Sequence, residues 1–323
     1  MQILNPLKPR PKGTRKKSVA EKLREQELAL KLGKPIETEV RHGYFKSFDG
    51  TRLFYSIEGT GTPLVFCYGL VCSSLHWTYQ IEHFSKTHQA IWFDYRGHQN
   101  SDLPETMDSL TLENMAKDLE CLLNELKIEK AVLLGHSMGV NVVLEFYKNN
   151  PHRVEAMVLA NGTPCRPLET LFGSNITKAG FSFLTEMYRL SPSLVKTAWK
   201  LNRGNPLSRT FIALGGFNPH LTPPEDVQLY VDQVTDLDPG ILVRLINNYD
   251  DYDATSWLHQ VKVPTLILAG EEDRIIPPEQ QELMHQLTPG SQLEVLAHGS
   301  HCPQMDLPEL VNLKIENFIA TLK

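Results

Sequence analysis

A serine hydroxyl is a poor nucleophile near neutral pH and needs a base to take its proton and an acid to orient that base. Gly135-His136-Ser137-Met138-Gly139 has the G-x-S-x-G spacing that presents a serine on a sharp turn, its glycines leaving room for the strand and helix that flank it. Ser137 is the candidate nucleophile. Asp273 closes the run from Thr265 to Gly270-Glu271-Glu272, at the carboxyl end of an expected strand, with Glu271 and Glu272 as alternative acids. His301 follows the last apolar run in Gly299-Ser300-His301, with His298 three residues earlier as its rival. The backbone N–H of Met138, at the start of the following helix, is placed to meet a developing oxyanion.

Positioning these groups requires strand ends that converge. Apolar runs at Leu64 to Tyr68, Ala90 to Phe93, Ala131 to Leu134, Ala156 to Leu159, Thr265 to Leu268 and Leu293 to Leu296 read as strands. Tyr44 to Phe48, the turn Asp49-Gly50 and Arg52 to Ile57 read as a hairpin before them. Helical patterns lie between the later strands, at Val140 to Tyr147 and from Thr111 through Leu126. Strands alternating with helices predict an α/β fold, a mostly parallel eight-stranded sheet covered on both faces. Its active groups should gather at the carboxyl edge.

Residues 165–260 interrupt that alternation with helical stretches and hold 11 of the 27 aromatic residues, which marks them as a helical lid. The chain then divides into a basic N-terminal arm (1–36), a core (37–164 and 261–323) and the cap (165–260). The arm carries ten Lys/Arg against three Glu, a net +7, and leaves −13 for the remainder of a chain whose total is −6. Ser18 and Glu21 form a capping box for a short helix in it. Peripheral contact of the arm with an anionic membrane is one use of such charge; no nucleic-acid partner is expected.

With 41% hydrophobic and 22% charged residues and no long apolar stretch, the sequence reads as a soluble globular protein. There is no secretory h-region. Five scattered cysteines without C-x-x-C or metal-ligand spacing predict reduced thiols, a cytoplasmic location, no metal and no cofactor.

From about Gly43 onward the chain resembles a capped serine hydrolase of the α/β-hydrolase fold family. Besides the elbow, Asp94-Tyr-Arg96-Gly97-His98 with Ser101-Asp102 is similar to the family's D-x-R-G-x-G-x-S segment, Gly270-Glu-Glu-Asp273-Arg-Ile-Ile-Pro277 to its acid loop, and His301 with Asp306 and Pro308 to its G-x-H-x-x-x-x-E-x-P segment. The resemblance implies a Ser137–Asp273–His301 triad and selects His301 over His298 and Asp273 over its neighbours. Some relatives carry the acid after the sixth strand, where Ala160-Asn161-Gly162-Thr163 offers no carboxylate. By family position the second oxyanion donor is the N–H of Leu70. Three departures stand out. Tyr68-Gly69 replaces His-Gly, Gln99 replaces a glycine and implies a different loop there, and Cys67 and Cys302 beside the site imply sensitivity to thiol reagents.

The expected activity is hydrolysis of a small carboxylic ester with an apolar or aromatic part, through an acyl-enzyme. A serine at 137 excludes the relatives that attack with aspartate, and with them haloalkane dehalogenation and epoxide hydrolysis. The alternatives are cleavage of a carbon–carbon bond in a ring-cleavage product and a non-catalytic binding protein.

Overall fold

A computed structural model describes residues 40–170, 175–201, 205, 210, 212–213 and 215–322. The basic arm and its capped helix lie outside the described residues.

Eight strands form one sheet: β1 (Val40–Lys46), β2 (Arg52–Glu58), β3 (Pro63–Cys67), β4 (Gln89–Phe93), β5 (Ala131–His136), β6 (Val154–Ala160), β7 (Thr265–Gly270) and β8 (Gln292–Leu296), in the spatial order β1-β2-β4-β3-β5-β6-β7-β8. Only β2 runs against its neighbours; every pair from β4 to β8 is parallel. Parallel central strands have both faces covered, and β5 and β7 are accordingly buried at all six positions. The helices are α1 (Thr78–Phe84), α2 (Leu112–Glu125), α3 (Met138–Asn149), α4 (Pro167–Thr170), α5 (Asn175–Leu190), α6 (Pro192–Leu201), α7 (Pro224–Asp236), α8 (Pro239–Asp250), α9 (Pro278–Leu287), α10 (Pro303–Asp306) and α11 (Pro308–Ala320). Helix α2 starts where the sequence predicted, capped by Thr111 accepting from Asn114 N, and buries the stripe containing Met115, Leu119, Leu122 and Leu123. None of the described helices is long and apolar enough to cross a membrane.

The chain leaves β3 toward β4 on one side and returns to β5 on the other. Ligands bind at such a reversal in an open parallel sheet, at the strands' carboxyl ends. Here that edge carries the loop after β3 and the turn after β5.

Between β6 and β7 the described elements are helical. The two ends of this insertion meet in a short antiparallel bridge of Cys165 with Asp253, flanked by Arg166 N to Tyr252 O (3.0 Å) and Ala254 N to Pro164 O (2.8 Å).

Candidate active site

Strand β5 ends in a turn that only a crowded backbone can hold. Ser137 caps α3 with φ 55° and ψ −124°, a left-handed conformation that strains a non-glycine residue and projects its hydroxyl from the sheet edge. Packing around the turn dictates both glycines. A Cβ on Gly135 would lie 2.6 Å from the carbonyl oxygen of Gly139, and one on Gly139 only 2.4 Å from that of Cys67.

Three strand ends converge here. His301 Nε2 lies 3.1 Å from Ser137 Oγ, and His301 Nδ1 lies 2.9 Å from Asp273 Oδ2. All three residues are buried. A carboxylate only accepts, so Nδ1 carries the proton and Nε2 faces the serine as acceptor. Asp273 is fixed from three other directions: Ile275 N and Ile276 N donate to Oδ1 at 2.8 and 2.9 Å, and Asn161 Nδ2 donates to Oδ2 at 2.6 Å. Asn161 also donates to Ser300 O (2.9 Å) and accepts from Gly270 N (3.1 Å), joining the ends of β6, β7 and the His301 loop. The rivals stand elsewhere. His298 is exposed and pairs with Glu272 at 3.1 Å, while a Glu271 oxygen accepts from His298 N.

Two further histidines back His301. His136 Nε2 donates to the His301 carbonyl at 2.8 Å, and its ring lies 5.0 Å from that of His301. His76 packs edge-on against His136, and neither of its ring nitrogens has a hydrogen-bond partner among the described residues. Burial, aided by His301, pushes His76 down to about 3 and His136 well below the usual range, so both are neutral imidazoles. Through its bond to the His301 carbonyl, His136 positions the loop that carries the base.

The loop after β3 has its carbonyls tied back. Trp77 Nε1 donates to Cys67 O (3.1 Å), Tyr95 Oη to Tyr68 O (3.0 Å), Cys72 N to Gly69 O (3.3 Å) and the Cys72 thiol to Leu70 O (3.1 Å). Tyr68, standing where the family usually has histidine, accepts from Tyr95 N at 2.7 Å, which makes a reciprocal pair of the two tyrosines. The N–H groups of Leu70 and Met138 have no backbone acceptor among the described residues. Gly69 lies against the serine, since a Cβ there would be 3.0 Å from Ser137 Cβ.

The segment around Arg96 serves as scaffold. Arg96 is fully buried, forms a bidentate pair with Asp118 (2.5 and 2.7 Å) and reaches Asp49 at 2.9 Å, which pins the loop to α2 and to the β1–β2 turn. Gln99, where the resemblance implies a different loop conformation, sits at φ 44° in the left-handed region that suits glycine. Cys67, Cys72 and Cys302 are buried; burial pushes the first two up to about 12 and the third well above the usual thiol range, which disfavours the reactive thiolate.

The insertion reaches the site. Asp306 accepts from Ser300 N (2.7 Å), from Asn218 N (3.2 Å) and from the Thr222 hydroxyl, joining the His301 loop to the insertion. Tyr249 of α8 is buried, and its hydroxyl has no close hydrogen-bond partner among the described residues. Burial pushes its pKa up, and the nearby Ser137 hydroxyl eases that push. A cavity of about 470 Å³, lined by Phe217, His220, Glu272, Arg274, His298 and Ser300, opens beside the His301 loop; Ser137 is not among its walls. Among the described residues no cluster of His, Cys, Asp and Glu is arranged to hold a metal ion. Neither Asn161 nor Tyr249 carried a signal in the sequence, because neither belongs to a recognisable motif.

Residues 62–308 match the protein family described as the alpha/beta hydrolase fold. The chain is 28% identical to mouse (Mus musculus) Epoxide hydrolase 3 over 231 residues, covering 69% of this chain and 61% of that one. It is 24% identical to pig (Sus scrofa) Bifunctional epoxide hydrolase 2, covering 87% and 55% respectively. The chain thus spans less than two thirds of the length of both relatives. Among solved structures, a thermophilic esterase from Thermogutta terrifontis superposes with a TM-score of 0.73 at 24% identity, over 87% of this chain and 99% of that one.

Proposed function

This chain belongs to the α/β-hydrolase fold family, and from that premise we propose that it is a serine ester hydrolase acting through Ser137, His301 and Asp273. The observation that carries the reading is the unbroken series from Ser137 Oγ to His301 Nε2 (3.1 Å) and from Nδ1 to Asp273 Oδ2 (2.9 Å). In this mechanism His301 takes the hydroxyl proton as Ser137 attacks the carbonyl, and Asp273 stabilises the resulting imidazolium. The N–H groups of Leu70 and Met138 receive the oxyanion. The proton passes to the leaving alcohol, and water then repeats the cycle on the acyl-enzyme to release the acid.

The resemblance to epoxide hydrolases does not extend to the atom at position 137. A carboxylate that opens an epoxide leaves an ester, which water can cleave at its carbonyl. A serine that did so would leave an ether with no carbonyl to attack, and turnover would stop. Ester hydrolysis uses the hydroxyl that is present. The insertion serves as the cap, and the tyrosines it brings near the site, Tyr230 and Tyr249, favour a substrate with an apolar or aromatic part. Cys67, Cys72 and Cys302, buried as thiols rather than joined in disulfides, support a cytoplasmic location. The basic arm is assigned to location or association, by way of an anionic surface.

The test combines a fluorophosphonate probe with p-nitrophenyl esters of increasing chain length. Intact mass should show one adduct that Ser137→Ala lacks, together with ester turnover. An adduct persisting in that variant refutes the nucleophile. An adduct without ester turnover favours carbon–carbon bond cleavage, and absence of both favours a binding protein.

A further inference from the structure

The loop that carries the Leu70 N–H contains a conformation that does not hold itself. Val71 sits at φ 54°, in the left-handed region, where a β-branched side chain is an outlier. Such a residue persists only when its surroundings over-determine it. The Cys72 N to Gly69 O bond across this turn fixes the peptide plane between residues 69 and 70. In a trans peptide the C=O and N–H point in opposite directions, so binding the Gly69 carbonyl aims the Leu70 N–H the other way.

The core holds one side of this loop through Trp77 and Tyr95. The other side is held by the insertion. Asp226, Tyr230 and Gln233 stand at i, i+4 and i+7 on α7, a spacing that puts them on one face. Each meets the segment after β3. Tyr79 Oη donates to Asp226 Oδ2 at 2.5 Å, Cys72 Sγ lies 3.9 Å from Tyr230 Oη, the His76 ring packs on Tyr230 at 4.7 Å, and Ser73 Oγ donates to Gln233 Oε1 at 2.5 Å. Ser73 is buried, and its hydroxyl also accepts from Leu75 N at 3.1 Å, so a single oxygen joins the strained turn, the helical turn after it and the cap.

We infer that α7 positions the oxyanion donor, with Gln233 as the positioning residue: it holds Ser73, and through Ser73 the Gly69–Cys72 turn that aims the Leu70 N–H. The inference rests on the serine-hydrolase reading for its catalytic consequence but not for its structural one. Gln233 touches no reacting atom, so its effect belongs in kcat. A donor that meets the oxyanion only in the transition state leaves ground-state binding nearly unchanged.

The experiment compares Gln233→Met, which keeps the volume and removes the acceptor, with Gln233→Glu, which keeps an acceptor oxygen. Thermal melts check that both variants fold. With p-nitrophenyl butyrate, Q233M should lose about tenfold in kcat with KM within about twofold, and Q233E should return to within about twofold of the parent. Hydrogen exchange followed by mass spectrometry should show faster exchange of residues 69–77 in Q233M and not in Q233E. A change confined to KM overturns the inference, because α7 would then be only a pocket wall. Unaltered exchange in Q233M overturns it as well. If the parent turns over no ester while Q233M loosens residues 69–77, the ester reading has failed and the clasp stands.

Discussion

Asn161→Ala removes three buried hydrogen bonds at once and separates the stability of the site from its chemistry. The bond to Asp273 Oδ2 at 2.6 Å is charge-assisted, a class that contributes about 1.5–3 kcal/mol. The other two leave Gly270 N–H and Ser300 C=O buried without a partner, at about 1–3 kcal/mol each unless water enters the vacated space. Allowing for such water, the loss should be about 3–5 kcal/mol, or a fall of roughly 6–15 °C in Tm for a domain of this size. Activity should suffer less. Asp273 keeps the N–H groups of Ile275 and Ile276 on its other oxygen, so its carboxylate cannot swing far from His301 Nδ1. A tenfold fall in kcat corresponds to about 1.4 kcal/mol of lost transition-state stabilisation. That is the expected scale, against about 10⁴-fold when the acid's own role is removed by Asp273→Asn. Urea denaturation measures the first quantity; ester turnover at a temperature well below the variant's melt measures the second. An Asn161→Ala protein as stable as the parent, or as inactive as Asp273→Asn, would refute the reasoning.

Packing at the elbow and burial of Asp94 lead to two further outcomes. Gly139→Ala would place a Cβ 2.4 Å from Cys67 O and 2.7 Å from Tyr68 O, both backbone atoms, so β3 and the elbow must separate by up to about 1 Å; kcat on a soluble ester should fall about 100-fold in a protein with unchanged far-UV circular dichroism, and near-parental turnover would contradict the packing. Asp94 is pushed up to about 6 by burial, although Asn100 donates to it twice, so its neutral form is favoured in the fold and its contribution, complete below 3.8, is lost as pH rises through 6. Asp94→Asn should therefore melt higher than the parent at pH 8, with the gap closing near pH 4; a gap independent of pH would exclude burial of the charge as its cause.

The sheet was legible because each strand is a short apolar run bounded by turn residues, and burial on both faces leaves little room for anything else at β5 or β7. Ser137, Asp273 and His301 were legible because each stands at a strand end within a recognisable run. What the sequence did not disclose depends on segments that meet only after folding. Asn161 was read as the absence of an acid, whereas it is the group that holds the acid supplied 112 residues later. Ser73 and Gln233 are 160 residues apart, and no local pattern couples them. Gln99 holds φ 44°, a conformation that its residue type does not announce. Residue type limits what backbone is comfortable, but the fold decides what is required.

The bridge of Cys165 with Asp253 gives the helical insertion a doorway one strand pair wide, where two chain segments stand about 5 Å apart. Everything between those residues enters and leaves the sheet domain through that gap, so the sheet has the same ends to join whatever lies beyond it. A graft needs only termini at that spacing, and the entropy of closing it grows slowly with the length of the graft. Caps of different length and sequence can thus be exchanged at residues 165 and 253 as interchangeable parts. The matching requirements are donors for Asp306, as Asn218 and Thr222 supply here, and a helix face that presents an acceptor to Ser73; a transplanted cap lacking the latter would sit on a sound sheet with a badly aimed amide.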